Sequence, residues 1–274
     1  MKVSVVVTTY DKPYYLRRAL TAYACQDFRD FEVVVADDGS DDRTRAMIDV
    51  FRADAPFPIR HVWHEHRGFR KTVILNKALA AAATDYIVFT DDDCLIRADF
   101  LRCHATLAKH GWFLSGGVVY LPAEVSAAVT TDDVTSQRVF DPTWHRERKL
   151  ALGLGSKLNK RGWAAWLMDH VSPTQASFNG HNASAWRADL VAVNGFDERL
   201  GYGGLDRELG ERLNNAGVRG KRIRYRAVCL HLHHERGYRD AAVIARNRAL
   251  RQAVRRERRA WTEFGLTRAV AAGT

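Results

Sequence analysis

The sequence predicts an α/β protein whose N-terminal half is a doubly wound, mainly parallel sheet. Over residues 1–95, four short runs rich in β-branched residues alternate with helical segments. The first run, Val3–Thr8, is mostly valine without regular polar alternation, which is typical of a parallel strand buried on both faces. Polar clusters follow three of the strand ends, at the edge where ligands bind in open α/β sheets.

Each element of this half has a local reason in the sequence. Pro13 suits the first turn of a helix through LRRALTAYA, because no N–H is needed there. FEVVVAD predicts the second strand, Gly39 ends it, and Ser40 or Asp41 can cap the helix TRAMIDVF. Ile59–Trp63 predicts the third strand and DYIVFT the fourth. The helix over FRKTVILNKALAAAA is expected to bury a face formed by Val73, Leu75, Ala78 and Leu79.

The second half is less regular. Residues 121–173 mix turn-forming residues with short apolar pieces, and we expect an inserted, partly mobile lid over a site. Leu205, Leu209 and Leu213 recur at intervals of four and predict a helix with one buried stripe. KRIRYRAVCLHLHHE then predicts a strand that ends in histidines, and residues 239–264 predict a long basic helix.

The composition bounds the class of protein. The chain has 274 residues and a net charge of +10, with 42 Lys and Arg against 32 Asp and Glu. It has no apolar run of membrane-spanning length and no signal-peptide pattern, so we expect a cytoplasmic protein. The 4 cysteines are scattered, as is typical of buried free thiols in a reducing compartment. The basic excess near the C-terminus indicates either a polyanionic partner or a solvated helix face.

Three adjacent carboxylates, Asp91, Asp92 and Asp93, follow the fourth strand. Like charges repel at such spacing, and a divalent cation would offset this repulsion. Carboxylate oxygens suit Mg²⁺ and Mn²⁺, and Mg²⁺ keeps coordination positions open for substrate phosphates. The cluster therefore indicates a metal and nucleotide site, with a surface acidic turn as the alternative.

Five segments in this order resemble the family 2 glycosyltransferases: VSVVVTTYDKPYYLRRAL, VVVADDGSDD, ILNKAL, YIVFTDDD and VNGFDERLGYGGLDRELGERL. The resemblance runs from Val3 to about His234. It implies an inverting, nucleotide-sugar-dependent enzyme with the GT-A fold. GYGGLDRELGERL with HLHH further resembles galactosyl- and N-acetylhexosaminyl-transferases of bacterial polysaccharide and lipopolysaccharide assembly.

The GT-A fold implies one domain, residues 1–238, made of two fused halves. Residues 1–95 would form the Rossmann-like nucleotide-binding half. Residues 96–238 would bind the donor sugar and the acceptor, with the variable insert at about 121–173. A basic C-terminal helix and tail, 239–274, would follow.

The resemblance assigns the nucleotide to the ends of the first strands. Thr8, Tyr10 and Asp38 match positions that hold the base and ribose, and Asp38 would accept a hydrogen bond from a base N–H. Asp92, the middle residue of the D-x-D motif, would line the nucleotide mainly through its backbone.

Basic residues before the third helix could bind the donor diphosphate. They are Arg67, Arg70 and Lys71, and the alternative is a solvated basic helix start. Asn76 matches the family's helix asparagine near the nucleotide.

The resemblance also implies a metal site of Mn²⁺ or Mg²⁺. Asp93 would be the direct ligand, and Asp91 would lie toward the ribose and the ion. His231 best matches a histidine that follows the final core strand, and His234 is the second choice. On a continuous strand His231 and His233 would share one side and His234 the other. A core or surface histidine is the alternative reading.

Asp206 matches the catalytic base of the family and would lie in the first turn of a helix, whose positive end favours its ionised form. The alternative is an ordinary helix N-terminal acid. Gly203 and Gly204, just before it, are expected to contact the substrate. Leu205 stands where the family often has an acid that helps to hold the acceptor, which leaves the acceptor undefined.

A polar loop, NGHNAS, matches the lining of the donor-sugar pocket. Asn179, His181 and Asn182 offer the mixed donors and acceptors that sugar hydroxyls need. Three tryptophans could stack on a sugar, form part of the lid or simply pack. They are Trp144, Trp163 and Trp166.

The sequence thus predicts a metal-dependent transfer of a sugar, with UDP as the expected nucleotide, to a hydroxyl of a bacterial surface glycan or lipid-linked saccharide. A nucleotidyltransferase is the first alternative, although the first loop, TTYDKP, lacks the glycines it would need. A basic nucleic-acid-binding module is the second, but no known motif supports it and we expect no nucleic acid partner. The basic C-terminal helix is predicted to contact the anionic inner face of a membrane, or to dock on the domain with its arginines in water.

Overall fold

An eight-stranded sheet organises the molecule, in the order β3-β2-β1-β4-β7-β6-β8-β5. The computed structural model describes residues 1–150, 157–235 and 239–267. The strands are β1 (Val3–Thr9), β2 (Phe31–Asp37), β3 (Ile59–Trp63), β4 (Tyr86–Asp91), β5 (Cys94–Ile96), β6 (Trp112–Tyr120), β7 (Ala183–Trp186) and β8 (Arg219–His231). The helices are α1 (Pro13–Ala24), α2 (Asp42–Asp54), α3 (Lys71–Ala81), α4 (Phe100–Leu107), α5 (Ala123–Ala128), α6 (Thr131–Thr135), α7 (Pro142–Glu147), α8 (Gly162–Val171), α9 (Arg187–Ala192), α10 (Leu205–Asn215) and α11 (Ala241–Arg256).

The N-terminal half has the doubly wound architecture that the sequence predicts. β1 pairs in parallel with β2 and β4, and β2 pairs in parallel with β3. Val5 packs with Leu20 in the core cluster on the α1 side of the sheet. Val6 packs with Ile74 and Leu79 in the cluster on the α3 side. Because both faces are covered, these strands are valine-rich rather than alternating.

Most element bounds of this half agree with the prediction. α1 begins at Pro13, and the side chain of Asp41 caps α2. α3 differs in its buried face, since Ile74 is buried and Val73 is only half-buried. Packing on the sheet decides which face of a helix is buried. A helix with apolar residues on several faces, such as α3, does not reveal that face in its sequence.

The second half continues the same sheet. β7 is antiparallel to both β4 and β6 and so joins the two halves. β8 runs parallel to β6 and antiparallel to the short β5. In the β5–β8 pair His231 lies opposite Cys94, so the histidine-rich strand ends beside the three aspartates.

The described part of residues 121–173 packs against the core instead of forming a separate lid, and its partial mobility stays a prediction. Val125 and Val134 are buried in the core cluster that includes α1. Arg18 of α1 donates hydrogen bonds to backbone carbonyls of the segment. Residues 151–156 lie outside the described residues. The first helices of the segment therefore extend the core over α1.

The last helix of this segment, α8, is fixed to the sheet. Asp169 accepts a hydrogen bond from the backbone N–H of Tyr225 at 2.9 Å and from Nε of Arg226 at 2.7 Å. The carboxylate is buried, and the arginine offsets its charge. This contact ties α8 to β8.

The basic C-terminal helix, α11, ends at Arg256 and is shorter than predicted. It docks on α10, where Val254 is buried and both Arg251 and Arg255 pair with Glu211. Within the described ranges, no helix has the length and hydropathy that a membrane crossing needs. Membrane contact by α11 remains a prediction and would depend on arginines, since part of the apolar side of the helix already covers the domain.

Candidate active site

The ends of β1, β2 and β4 open into a cavity of about 490 Å³, called here the first cavity. Polar clusters from three strand ends meet there, as expected for parallel strands whose carboxyl ends share one edge. The turn before α10 and the end of β8 complete its walls. Of the predicted site residues, it is lined by Thr8, Tyr10, Asp38, Lys71, Asp91, Asp92, Asp93, His181, Gly203, Gly204, Asp206, His231 and His234.

Asp91 is held by two donors at the end of β4. Thr8 Oγ1 and Lys71 Nζ each donate to its Oδ1, both at 2.6 Å. Burial opposes ionisation of Asp91, but the Lys71 ammonium outweighs it and lowers the pKa of Asp91. Lys71, the first residue of α3, thus places a cation against the first carboxylate of the predicted D-x-D motif.

The other two aspartates contact residues that the sequence analysis did not select. Thr9 Oγ1 donates to Asp92 at 2.7 Å, and Lys12 Nζ donates to Asp93 at 3.3 Å. Burial raises the pKa of Asp92, and the neighbouring charge of Asp93 adds to this. Lys12 could have been selected from the sequence, because it directly follows the polar residues at the end of β1.

Asp38, at the end of β2, binds two neighbouring groups of the protein. Its Oδ1 lies 2.7 Å from His64 Nε2, and its Oδ2 accepts the backbone N–H of Arg70 at 2.9 Å. Nearby, the rings of Tyr10 and His66 stack with their centroids 4.5 Å apart. The two histidines were missed because a lone histidine after a strand carries no specific signal.

Asp93, His231 and His234 form a group whose candidate ligand atoms all lie within 4.8 Å of one another. Nε2 of His231 lies 3.4 Å from Asp93, and Nε2 of His234 lies 3.0 Å from it. His233 is exposed. The predicted sharing of one strand side by His231 and His233 is wrong, because β8 ends at His231 and the chain turns there.

The hydrogen bonds of these histidines fit a metal site. Nδ1 of His231 lies 2.8 Å from the carbonyl oxygen of Leu232, and Nδ1 of His234 lies 2.8 Å from that of Glu235. A carbonyl only accepts, so both Nδ1 atoms donate and both Nε2 atoms face the Asp93 carboxylate. One carboxylate and two imidazoles suit Mn²⁺. Asp91 lies outside this group.

Charge within the group keeps Asp93 ionised. Burial opposes ionisation, but the hydrogen bond from His234 and the charges of His231 and Lys12 hold the pKa of Asp93 well below its usual range. The same hydrogen bond raises the pKa of His234. The carboxylate is therefore available as a ligand.

Asp206 lies in the first turn of α10, after two glycines with left-handed φ values of 103° at Gly203 and 87° at Gly204. Side chains are strained at such φ values, so this turn favours glycine. Burial raises the pKa of Asp206 to about 6, against the lowering effect of Lys71. The carboxylate is therefore poised to exchange a proton near neutral pH.

Asp206 also lines a second cavity, of about 720 Å³. Asn179, His181, Gly203 and Gly204 also line it. Burial lowers the pKa of His181 to about 4, so its ring is neutral at pH 7. Asp206, His181, Gly203 and Gly204 line both cavities and so connect them, whereas Asn179 lines only the second.

Two predicted site residues have structural contacts instead. Asn76 is buried, and its amide exchanges hydrogen bonds with both the N–H and the carbonyl of Phe196. Asn182 is buried and donates to the carbonyls of Gly117 and Ala227. Neither lines the first or the second cavity. Their amides are consumed in holding loops and strands together, which residue type alone cannot reveal.

Two of the predicted basic side chains and all three predicted tryptophans lie outside the cavities. Arg67 is exposed and pairs with Glu65 at 2.7 Å, while Arg70 reaches the site through its backbone N–H. Trp144 is buried in the core, whereas Trp163 and Trp166 are 76% and 50% exposed. None of these side chains lines either cavity. The tryptophans therefore neither stack in the site nor cover it in this conformation.

The sheet, the strand-end cavity and the acid at the start of α10 define a nucleotide-binding α/β enzyme. The chain matches the model of glycosyl transferase family 2 over residues 4–151. Residues 170–235 match a second model, the N-terminal domain of galactosyltransferase. The chain belongs to glycosyltransferase family 2.

Curated relatives agree with this assignment. The chain is 31% identical over 232 residues to validoxylamine A glucosyltransferase of Streptomyces hygroscopicus subsp. jinggangensis, covering 79% of this chain and 52% of that protein. It is 34% identical over 104 residues to poly(ribitol-phosphate) beta-N-acetylglucosaminyltransferase TarS of Staphylococcus aureus, covering 37% of this chain and 18% of TarS. The chain thus spans about half the length of its validoxylamine relatives.

Solved structures show the same fold. The mannosyltransferase PcManGT of Pyrobaculum calidifontis, in complex with GDP-Man and Mn²⁺, superposes with a TM-score of 0.57 at 21% identity, covering 99% of this chain and 73% of that one. S. aureus TarS superposes with a TM-score of 0.57 at 19% identity, covering 85% of this chain and 37% of that one. The fold is therefore GT-A, as the resemblance implies.

Proposed function

We propose that this chain transfers a sugar from a nucleotide sugar, with UDP as the nucleotide, to an acceptor hydroxyl with inversion at the anomeric carbon. The observation that carries the proposal is the position of Asp206, which lines both cavities and has a pKa raised to about 6. A base between a donor and an acceptor compartment is what a single displacement needs.

The first cavity suits a nucleoside diphosphate. Tyr10 and His66 offer a flat aromatic surface for the base, and the Asp38 carboxylate can accept from a base N–H. Lys12 and Lys71 place positive charge where a diphosphate would lie. A solved relative, TarS, is reported in complex with UDP and with UDP-GlcNAc, which favours UDP for this chain.

We further propose that Asp93, His231 and His234 hold Mn²⁺ or Mg²⁺, on the fit of their ligand atoms. When bound, the cation neutralises charge on the leaving diphosphate. The solved complex of PcManGT with GDP-Man and Mn²⁺ supports this choice.

The transfer follows from the residues around Asp206. The acceptor hydroxyl in the second cavity attacks the anomeric carbon, and the bond from that carbon to the diphosphate oxygen breaks. Asp206 takes the hydroxyl proton, and the electron pair of the broken bond leaves with the nucleotide. Lys71 and Lys12 offset the charge that develops on the departing oxygens. Neutral His181 can donate or accept a hydrogen bond to the sugar.

The acceptor is proposed to be a bacterial surface glycan or a lipid-linked saccharide, reached from the cytoplasmic side. Relatives include a Campylobacter jejuni enzyme named for an undecaprenol-linked acceptor and the S. aureus enzyme named for poly(ribitol-phosphate). A panel of nucleotide sugars, incubated with Mn²⁺ and assayed for release of the nucleoside diphosphate, tests the donor. Turnover of a UDP sugar that EDTA abolishes and Mn²⁺ restores supports the proposal, and full activity in EDTA contradicts the metal site.

A further inference from the structure

We propose that the acceptor carries an oxyanion, a phosphate or a carboxylate, that binds to arginines in the second cavity beside Asp206. The inference rests on the proposed function and names the acceptor class that this function leaves open. A lipid-linked saccharide phosphate and a uronic acid share this chemistry, since both present planar or branched anionic oxygens that guanidinium groups recognise through paired N–H donors.

The second cavity is strongly basic. Its lining contains a single carboxylate, Asp206, among the residues that the structure describes there. Four arginines from three different elements face the same space: Arg207 from α10, Arg224 from β8, and Arg248 and Arg251 from α11. Concentrating like charge around a cavity is unfavourable unless a negatively charged ligand offsets it.

The four arginines differ in their partners. Arg251 pairs with Glu211 at 2.5 Å, and Arg224 donates to Thr174 Oγ1 at 2.5 Å. Arg207 and Arg248 are exposed and form no ion pair with a carboxylate of the described ranges. Their guanidinium groups are therefore the ones best able to bind an incoming anion.

The position of α11 brings its arginines to the base. Asn247 is buried and donates to the carbonyls of Gly201, Tyr202 and Gly203, at 3.0 to 3.1 Å. A Cβ built on Gly203 would lie 3.1 Å from Ile244 Cγ1, so helix and turn are in close contact. The turn that precedes Asp206 and the wall that carries Arg248 are thus one packed unit.

The donor diphosphate does not account for these arginines. Lys12 and Lys71 line the first cavity, and neither lines the second. The arginines in turn line the second cavity and not the first. Because Asp206 lies between the two sets, an anion on the arginines would belong to the molecule whose hydroxyl Asp206 deprotonates.

The test measures acceptor-side binding with the donor side filled. The full chain is saturated with UDP and Mn²⁺, and saturation-transfer NMR compares α-glucosyl phosphate, methyl glucuronoside and methyl glucoside. We expect one or both anionic probes to bind and the neutral glucoside to bind at least about tenfold more weakly. The double variant Arg207→Gln/Arg248→Gln should lose the preference. A matched variant, Arg43→Gln/Arg256→Gln, removes two exposed arginines outside the cavity and should keep it.

Any of three results would overturn the inference. The first is equal binding of the neutral and anionic probes, and the second is unchanged anion binding in Arg207→Gln/Arg248→Gln. The third is no anion binding to the UDP-loaded protein. Thermal melting of both double variants checks folding, which exposed side chains should leave intact. Failure of UDP itself to bind would instead contradict the proposed donor site, so the two failures are distinguishable.

Discussion

A Cβ on Gly180 would lie 2.7 Å from Oδ1 of Asp206, closer than such atoms approach in proteins. The loop before β7 therefore passes against the acid of α10 with room only for a glycine. This contact limits the space on the Gly180 side of the Asp206 carboxylate, so the position of the proposed base is sensitive to one methyl group.

Gly180→Ala should displace the Asp206 carboxylate. We expect kcat for donor turnover to fall by about tenfold to a hundredfold, because a shift on the order of 1 Å at a reacting group costs that much. UDP affinity, measured by calorimetry, should change little, since Gly180 does not line the first cavity. A weaker UDP affinity with unchanged kcat would contradict the role of this contact.

The pH dependence of turnover should follow the pKa of Asp206. The base works only when ionised, so kcat/KM should rise with pH through about 6 and level off above it. Because Lys71 lowers the pKa of Asp206, Lys71→Met should move this limb to higher pH as well as reduce the rate. Lys77→Met, which changes the same helix outside both cavities, should leave the limb in place. An identical pH limb in Lys71→Met and wild type would contradict the coupling.

Loss of a proposed ligand should weaken metal binding selectively. His231→Ala should reduce Mn²⁺ affinity by at least about tenfold, whereas His233→Ala should not, because His233 is exposed outside the group formed with Asp93. Calorimetric titration of Mn²⁺ in the presence of UDP measures this directly. Equal effects of the two substitutions would remove His231 from the site.

Asn182 should matter for stability and not for sugar binding. Asn182→Ala would remove the amide that bonds the carbonyls of Gly117 and Ala227 and Nε2 of His104, and the Gly117 carbonyl would keep only its weak bond from Cys229 Sγ. We expect a loss of about 2–4 kcal/mol in the free energy of unfolding, since each buried unpaired group costs roughly 1–3 kcal/mol. Urea denaturation measures the loss. A change in KM without a loss of stability would instead support the prediction that Asn182 lines the donor-sugar pocket.

Acid should destabilise the fold through His104, a partner of Asn182 that burial keeps neutral. Burial lowers its pKa from 6.5 to about 4. The unfolded chain therefore takes up a proton at His104 before the folded chain does, and stability falls as pH drops from about 6.5 toward 4. His104→Gln should flatten this part of the stability curve in urea titrations at several pH values. An unchanged slope would show that His104 is not the group responsible.

Much of the first cavity could be predicted from the sequence, because it is built from strand ends. A parallel arrangement of the strands follows from the valine-rich runs and the helices between them, and the carboxyl ends then converge. Asp38 and Asp93 fall in the cavity for this reason, whereas Asp206, at the start of α10, was assigned from the family resemblance. The position of His231 beside Asp93 depends on the pairing of β8 with β5, and the strand pattern alone does not predict this pairing.

The sequence did not predict the features that depend on tertiary contact. Asn76 and Asn182 carry the right chemistry for a ligand site, yet their amides are used by backbone groups brought near only by folding. The packing of the insert on α1 and of α11 on α10 depends on tertiary contact in the same way. For α11 the sequence left both docking on the domain and membrane contact open, and membrane contact stays a prediction.

The central claim is that Asp206 is the base, and Asp206→Asn tests it most directly. The amide keeps the shape of the side chain but cannot take the proton. Donor turnover with Mn²⁺ and the best nucleotide sugar should fall by about 10²–10⁴-fold, with UDP affinity retained. Turnover within a few-fold of wild type would contradict the assignment.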